Sequence, residues 1–178
     1  QYTGGMSRTA SALGWLLALV PAMLLAAQDV LVPADQINAL KREYTFIRFS
    51  QLTHLDAPLP PRHDLGSASR PAPSASLIPS GARAFHRRKV SIRGYVVPVD
   101  VDRRGIREFI LSSNIDSCHF GVIGGPDEWI YVTMAGDRRI PAPGTQPVTV
   151  FGVIDVGEQV SDGVVDSLYR MRGERVAL

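Results

Sequence analysis

Three kinds of hydrophobic pattern follow one another along the chain. Ala10 to Ala27, "ASALGWLLALVPAMLLAA", is an uncharged apolar run of 18 residues in which Ser11 is the one polar side chain. As a helix it would be about 27 Å long, close to the roughly 30 Å hydrocarbon thickness of a bilayer. Pro21 disfavours a soluble helix interior but is tolerated in a membrane helix. Further on, Pro33 can open a helix, and Ile37, Leu40 and Tyr44 follow at helical spacing. "YTFIRF" then alternates apolar and polar residues as a half-buried strand does.

From Phe85 the period becomes that of β-structure. Five strand candidates, each bounded by turn residues, are Val90–Val97, Glu108–Ser112, Trp129–Met134, Val148–Val156 and Leu168–Arg172. Alternation predicts that Val90, Ile92, Val96, Phe109, Leu111, Ile130, Val132, Val150 and Ile154 face one interior. Gly94 and Gly152 interrupt two of the longest runs, as glycines do at bulges and sharp coils of small barrels. No long amphipathic helix competes. The pattern predicts a mainly β domain, a small five-stranded OB-like barrel, with a compact β-sandwich as the alternative.

Composition divides the chain further. Ala57 to Ala84 holds six of the 13 prolines together with Ser, Ala and Gly, so it reads as an extended linker that buries no core. The expected organisation is a cytoplasmic N-terminus over 1–9, a transmembrane helix over 10–27, a short helix/strand segment over 28–56, a linker over 57–84 and the β domain over 85–178. The alternative for the apolar run is a cleaved signal peptide. Cutting after Ala26 or Ala27, however, places Leu24 or Leu25 where a small residue is preferred. Arg8 precedes the run and Asp29 and Asp35 follow it, which puts the N-terminus in the cytoplasm and everything after Gln28 outside.

Ala10, Gly14, Ala18, Ala22 and Ala26 recur at four-residue spacing in the span. Such a ridge of small residues lets a second membrane helix approach closely; the alternative is that alanine is abundant in exported segments. Arg62, Arg70 and Arg83 add polar contacts along the linker. Together they point to other membrane-protein subunits as partners, with the bilayer itself.

Charge and cysteine content narrow the chemistry. The chain carries 19 Lys and Arg against 17 Asp and Glu, a net of +2, too even to mark a nucleic-acid binder. "RAFHRRK", Arg83 to Lys89, is either a surface for anionic headgroups or an acidic partner, or a solvated entry to the first strand. One cysteine excludes a disulfide framework within the chain. Cys118 and His119 are adjacent, so in extended chain they point to opposite faces, and no distal base suggests a nucleophile. They are a weak metal site at most, short of the four ligands a closed zinc site needs. The plainer reading is an ordered loop pinned by Cys118 and Phe120. No phosphate-cradling glycine loop, paired glycosidase-type carboxylates or serine-nucleophile motif stands out, and no cofactor is implied.

The segments "RKVSIRGYVVPVD", "EFILSSNIDSCHFG", "DEWIYVTM", "PVTVFGVIDV" and "DSLYRM" carry a family resemblance. From about Phe46 to the C-terminus the chain resembles the exported bacterial family catalogued as domain of unknown function 3299. Relatives carry Cys-Cys-Phe-Gly or a Cys-Ile-His variant in the second segment, whereas here Ser117 precedes Cys118 and His119 follows it. The resemblance implies a small β-barrel secreted or anchored outside the bacterial inner membrane, and it implies no established activity. With the apolar run, this gives a single-pass inner-membrane protein whose β domain is periplasmic.

The expectation for function is a non-enzymatic accessory subunit that binds and stabilises a larger bacterial membrane complex. An energy-transducing assembly such as a photosynthetic reaction centre–antenna complex is one candidate. The alternatives are an envelope metal- or small-ligand-binding module and a thiol-dependent enzyme.

Overall fold

The architecture is that of a computed structural model, which describes residues 30–53, 77–115, 125–161 and 164–178. The elements are α1 (Ile37–Glu43), β1 (Thr45–Ile47), α2 (Ser80–Arg83), β2 (Arg88–Asp102), β3 (Gly105–Ser112), β4 (Trp129–Met134), β5 (Val148–Ser161) and β6 (Val164–Ala177). The domain is mainly β, one sheet of six strands in the order β1-β2-β3-β4-β6-β5 with β5 also paired to β2. The β4–β6 ladder is parallel, and β2–β3, β3–β4, β5–β6 and β2–β5 are antiparallel. Starting from β2, the ladders therefore lead through β3, β4, β6 and β5 back to β2.

Strand β2 makes this circuit possible because its two halves pair with different neighbours. Arg88 to Gly94 lie opposite Ile154 to Val148 of β5, and Tyr95 is the first residue opposite β3, at Ser112. Gly94 sits at the handover. A Cβ there would lie 2.7 Å from the Ser112 carbonyl oxygen and 2.9 Å from the Leu111 side chain, so the close crossing requires glycine. The edge of β2 that β3 leaves open is taken by β1, with Thr45, Phe46 and Ile47 parallel to Val90, Ser91 and Ile92. Residues 30–32 do the same for the end of β6, through Val32 N to Val176 O at 2.8 Å and Val176 N to Val30 O at 2.7 Å. Both additions give unpaired backbone groups partners within the chain.

All nine side chains predicted to face one interior lie in a single buried cluster. That cluster also takes Val30, Ile47, Phe49 and Leu52 from the N-terminal segment, and Leu77, Ile78 and Ala82 from the end of the Pro-rich stretch. The linker composition thus misleads at its C-terminal end. Leu77 is fully buried, and its N–H donates to Glu158 Oε1 at 2.6 Å. The Tyr169 hydroxyl ties the segments together, donating to the Leu52 carbonyl at 2.6 Å inside the core. A smaller cluster lies on the outer sheet face, where Ile37, Leu40 and Tyr44 cover Val32, Phe151 and Ala177. Ile37 and Leu40 lie on α1 as their spacing predicts and Tyr44 is its extended C-cap, whereas Pro33 sits in the turn before α1, its carbonyl accepting from Gln36 N–H at 3.0 Å.

The five predicted strands all form, and four of them, β2, β3, β5 and β6, run longer than their apolar patterns. Strands β2, β5 and β6 continue through polar residues because their antiparallel partners extend with them across register shifts at Pro98/Asp100, Phe151/Gly152 and Val156/Gln159. Among the described residues no helix is long and apolar enough to cross a membrane, and the apolar run 10–27 lies outside them.

Where β2 turns into β3, four charges close the hairpin end. Arg104 Nη1 and Arg139 Nη1 each donate to Asp137 at 2.6 Å, while Arg139 Nε donates to Asp102 at 2.9 Å. The Arg104 backbone N–H, then the two guanidiniums, hold the Asp102 carboxyl below its usual range; Arg139 and Arg104 do the same for Asp137. Depressed carboxylate values mean that their contribution is present above the ordinary range and lost as pH falls through the lowered values. Carbon-detected NMR titration should show both carboxyls protonating below ordinary aspartate, and Arg139→Gln should move both upward. Ordinary titration in the unmodified chain would contradict the network.

Candidate functional site

The strand register assembles a row of outward side chains that no single stretch of sequence contains. Phe46 lies opposite Ser91, Ser91 opposite Phe151, and Phe151 opposite Arg175. The next outward row holds Arg93, Thr149 and Ala177. Ser91, only 2% exposed, lies in the row between the two phenyl rings. Helix α1 raises one wall with Ile37 and Lys41, and Pro147 and Leu178 border the other side of a groove of about 600 Å³.

The groove is apolar inside and cationic at its margin. Phe46 is 53% exposed, an unusual position for a large aromatic ring. Arg48 lies 5.7 Å from its centroid, within cation–π range. Lys41 and Arg93 are exposed at the rim. Phe151 is held by an edge-on contact from Tyr44 at 5.5 Å, and Tyr44 is anchored in turn by its hydroxyl on Glu174 Oε2 at 2.5 Å. Burial first, and then that bond to a carboxylate, raises the Tyr44 pKa far above the usual phenol value, so the hydroxyl stays a donor. The floor is therefore preorganised, and what it offers is contact and charge.

Of the residues singled out from sequence, Arg83 is described. It is exposed at the end of α2, and its Nη2 donates to the Ile78 carbonyl at 3.4 Å. Ala10, Gly14, Ala18, Ala22, Ala26, Arg62, Arg70, Cys118 and His119 lie outside the described residues. Among those described, no three His, Cys, Asp or Glu side chains group as metal ligands do. The groove was missed because Phe46, Ser91 and Phe151 are far apart in sequence. One signal was available: the alternation in "YTFIRF" places Phe46 on the face opposite Ile47, which is buried.

"RAFHRRK" forms a tight turn into β2. Arg87 has a left-handed backbone, φ 56°, with its N–H on the Ile154 carbonyl at 2.8 Å. His86 Nδ1 stands 3.2 Å from the Val156 N–H and 3.0 Å from Asp155 Oδ1. That nitrogen accepts from the Val156 N–H when it holds a lone pair, or donates to Asp155 when it carries the proton, and it does one or the other.

A family model described as protein of unknown function (DUF3299) matches residues 67–178. Among solved structures, the chain is similar to a DUF3299 family protein from Pseudomonas aeruginosa PAO1, with 21% identity, a TM-score of 0.49, and coverage of 75% of this chain and 94% of that one. A candidate aspartyl-tRNA synthetase from Leishmania major Friedlin aligns at 14% identity and a TM-score of 0.31, covering 81% of this chain and 26% of that one. No curated protein matches.

Proposed function

This chain belongs to the DUF3299 family of proteins of unknown function, and from that premise we propose that it is a non-enzymatic binding subunit that joins a larger membrane complex by seating a partner's side chains in the Phe46 groove. The observation that carries the reading is the exposed Phe46 ring, in one row with buried Ser91 and Phe151 and flanked by Lys41, Arg48 and Arg93. The occupant that fits is a protein segment with an apolar side chain beside carboxylates. Burying such a side chain contributes about 1.5–3 kcal/mol, and the cations select an acidic neighbour over a basic one.

The ladder circuit from β2 back to β2, with its single parallel β4–β6 pair, supports reading the domain as an OB-like barrel. The uncharged run 10–27 supports a membrane anchor with the domain on the periplasmic side. Anchor and groove would then engage one assembly at two points, raising effective concentration without a tight single interface.

Co-purification tests this. The full chain, extracted from native membranes in mild detergent, should bring down a defined set of membrane subunits. Phe46→Glu should lose that set about tenfold or more, as hot-spot losses do. Replacing Gly14, Ala18 and Ala22 together with leucine should weaken it as well. If Phe46→Glu retains the same partners in the same amount, the groove is not the docking site.

A further inference from the structure

A second groove, of about 420 Å³, opens on the outer face where β6 runs between β4 and β5, and three arginines are among the residues that line it: Arg87, Arg170 and Arg172. Thr133 and Val153 line it too, with Asp155 as its one acid. Register alone would neutralise this surface. Asp155 lies directly opposite Arg170, Thr133 opposite both Arg172 and Glu108, and Glu174 two residues from Arg172. The acids are instead largely engaged elsewhere. Asp155 is 3.0 Å from His86 Nδ1, Glu108 accepts the Tyr131 hydroxyl at 2.7 Å, and Glu174 accepts that of Tyr44. Only a long contact of 3.5 Å from Glu174 reaches Arg172, and among the described residues no carboxylate is within ion-pair distance of the Arg87 or Arg170 guanidinium.

The other end of the β2–β3 hairpin shows what this chain does with structural arginines. There Arg104 and Arg139 are each paired with both Asp102 and Asp137. Around the second groove, among the described residues, Arg87 and Arg170 have no such pair, Arg172 has only its long contact with Glu174, and Asp155 is the one acid against three arginines, an arrangement that gains from an external anion. Arg87 is also the one non-glycine residue at positive φ among the described residues. Its conformation is locked by backbone bonds on both sides, from Arg87 N to Ile154 O at 2.8 Å and from Arg88 N to Phe85 O at 2.9 Å. A strained residue held in place at a groove margin points to a function for the side chain it carries.

We infer that Arg87, Arg170 and Arg172 form a binding site for a phosphate group, with the Thr133 hydroxyl as an additional donor. Guanidinium forks match phosphate oxygens two at a time, and three of them around one groove complement a single oxyanion better than a dispersed acidic surface. The phosphate belongs either to a small soluble compound or to a lipid headgroup, and the site's chemistry toward the two is the same. This site is separate from the Phe46 groove and stands without it.

The test is calorimetric titration of the full chain in non-ionic detergent with inorganic phosphate, and separately with glycerophosphoglycerol, a tail-free lipid headgroup. Each is compared with chloride at matched ionic strength. Saturable binding of at least one phosphate compound is expected. Arg170→Gln and Arg87→Gln should each weaken it about tenfold, while Arg103→Gln, an exposed change on the β2–β3 turn, should leave it unchanged. Stronger binding of glycerophosphoglycerol identifies the headgroup, and stronger binding of inorganic phosphate identifies a soluble compound. Near-ultraviolet circular dichroism checks that each variant is folded. Absence of saturable binding, equal heats with chloride, or equal loss in Arg103→Gln overturns the inference.

Discussion

Replacing Gly152 with alanine is expected to destabilise the domain by about 3 kcal/mol, at the upper end of what overpacking costs. A Cβ at this position would lie 2.3 Å from the Arg172 carbonyl oxygen, 3.0 Å from its carbonyl carbon and 3.1 Å from Gly173 Cα. All three atoms belong to the backbone of β6, so no side-chain rotation relieves the clash. The two strands would have to part at the register shift between Phe151 and Gly152, in the middle of the β5–β6 ladder. Gly173 and Gly157 give the comparison. A Cβ on Gly173 meets the Met134 sulfur at 2.7 Å, a flexible side chain that can move, and one on Gly157 meets nothing within 4 Å. Urea unfolding should therefore rank Gly152→Ala as the most damaging, Gly173→Ala next, and Gly157→Ala near neutral. A Gly152→Ala loss no larger than that of Gly157→Ala would mean that the strands do not approach this closely.

Leu52→Ala should cost about 2–5 kcal/mol, the range for deleting a fully buried leucine. The size of the effect is informative because Leu52 lies outside residues 67–178, the part matched by the family model. Its side chain is 0% exposed within the main cluster. Its carbonyl accepts the buried Tyr169 hydroxyl. Tyr169→Phe should add independent evidence, since it leaves that carbonyl without its partner at a cost of about 1–3 kcal/mol. Losses below about 1 kcal/mol for both, measured by the same urea unfolding, would show that the N-terminal segment merely rests on a domain complete without it.

What the sequence discloses follows from the range of each physical signal. Period-two alternation is local, so Val90, Ile92, Val132 and Val150 announce a common interior without any knowledge of pairing. Gly94 and Gly152 announce close backbone approaches for the same reason, because only a missing side chain permits them. Strand length is less local. "DVD" at 100–102 has only Val101 to offer a core and leaves it exposed, so it is extended because β3 turns back beside it. Leu77 and Ile78 sit among Pro, Ser and Ala, and their burial depends on β5 supplying Glu158 to the Leu77 N–H. Both candidate grooves lie at the far end of this scale. Phe46, Ser91 and Phe151 meet only through two ladders, and Arg87 meets Arg170 and Arg172 only across β5. The sequence shows a basic run at Arg83 to Lys89, but not which acids are turned away from it.

Site-specific photo-crosslinking tests the docking reading most directly. A photoreactive residue is placed at position 46 in the groove, and in a separate chain at position 101, where Val101 is 59% exposed on the β2 hairpin arm. Each full chain is then irradiated in intact native membranes. The account predicts one dominant adduct to a membrane subunit from position 46, suppressed by Arg93→Glu, and none of that adduct from position 101. The same adduct from both positions, or none from position 46 in a chain that still co-purifies with its complex, would contradict it.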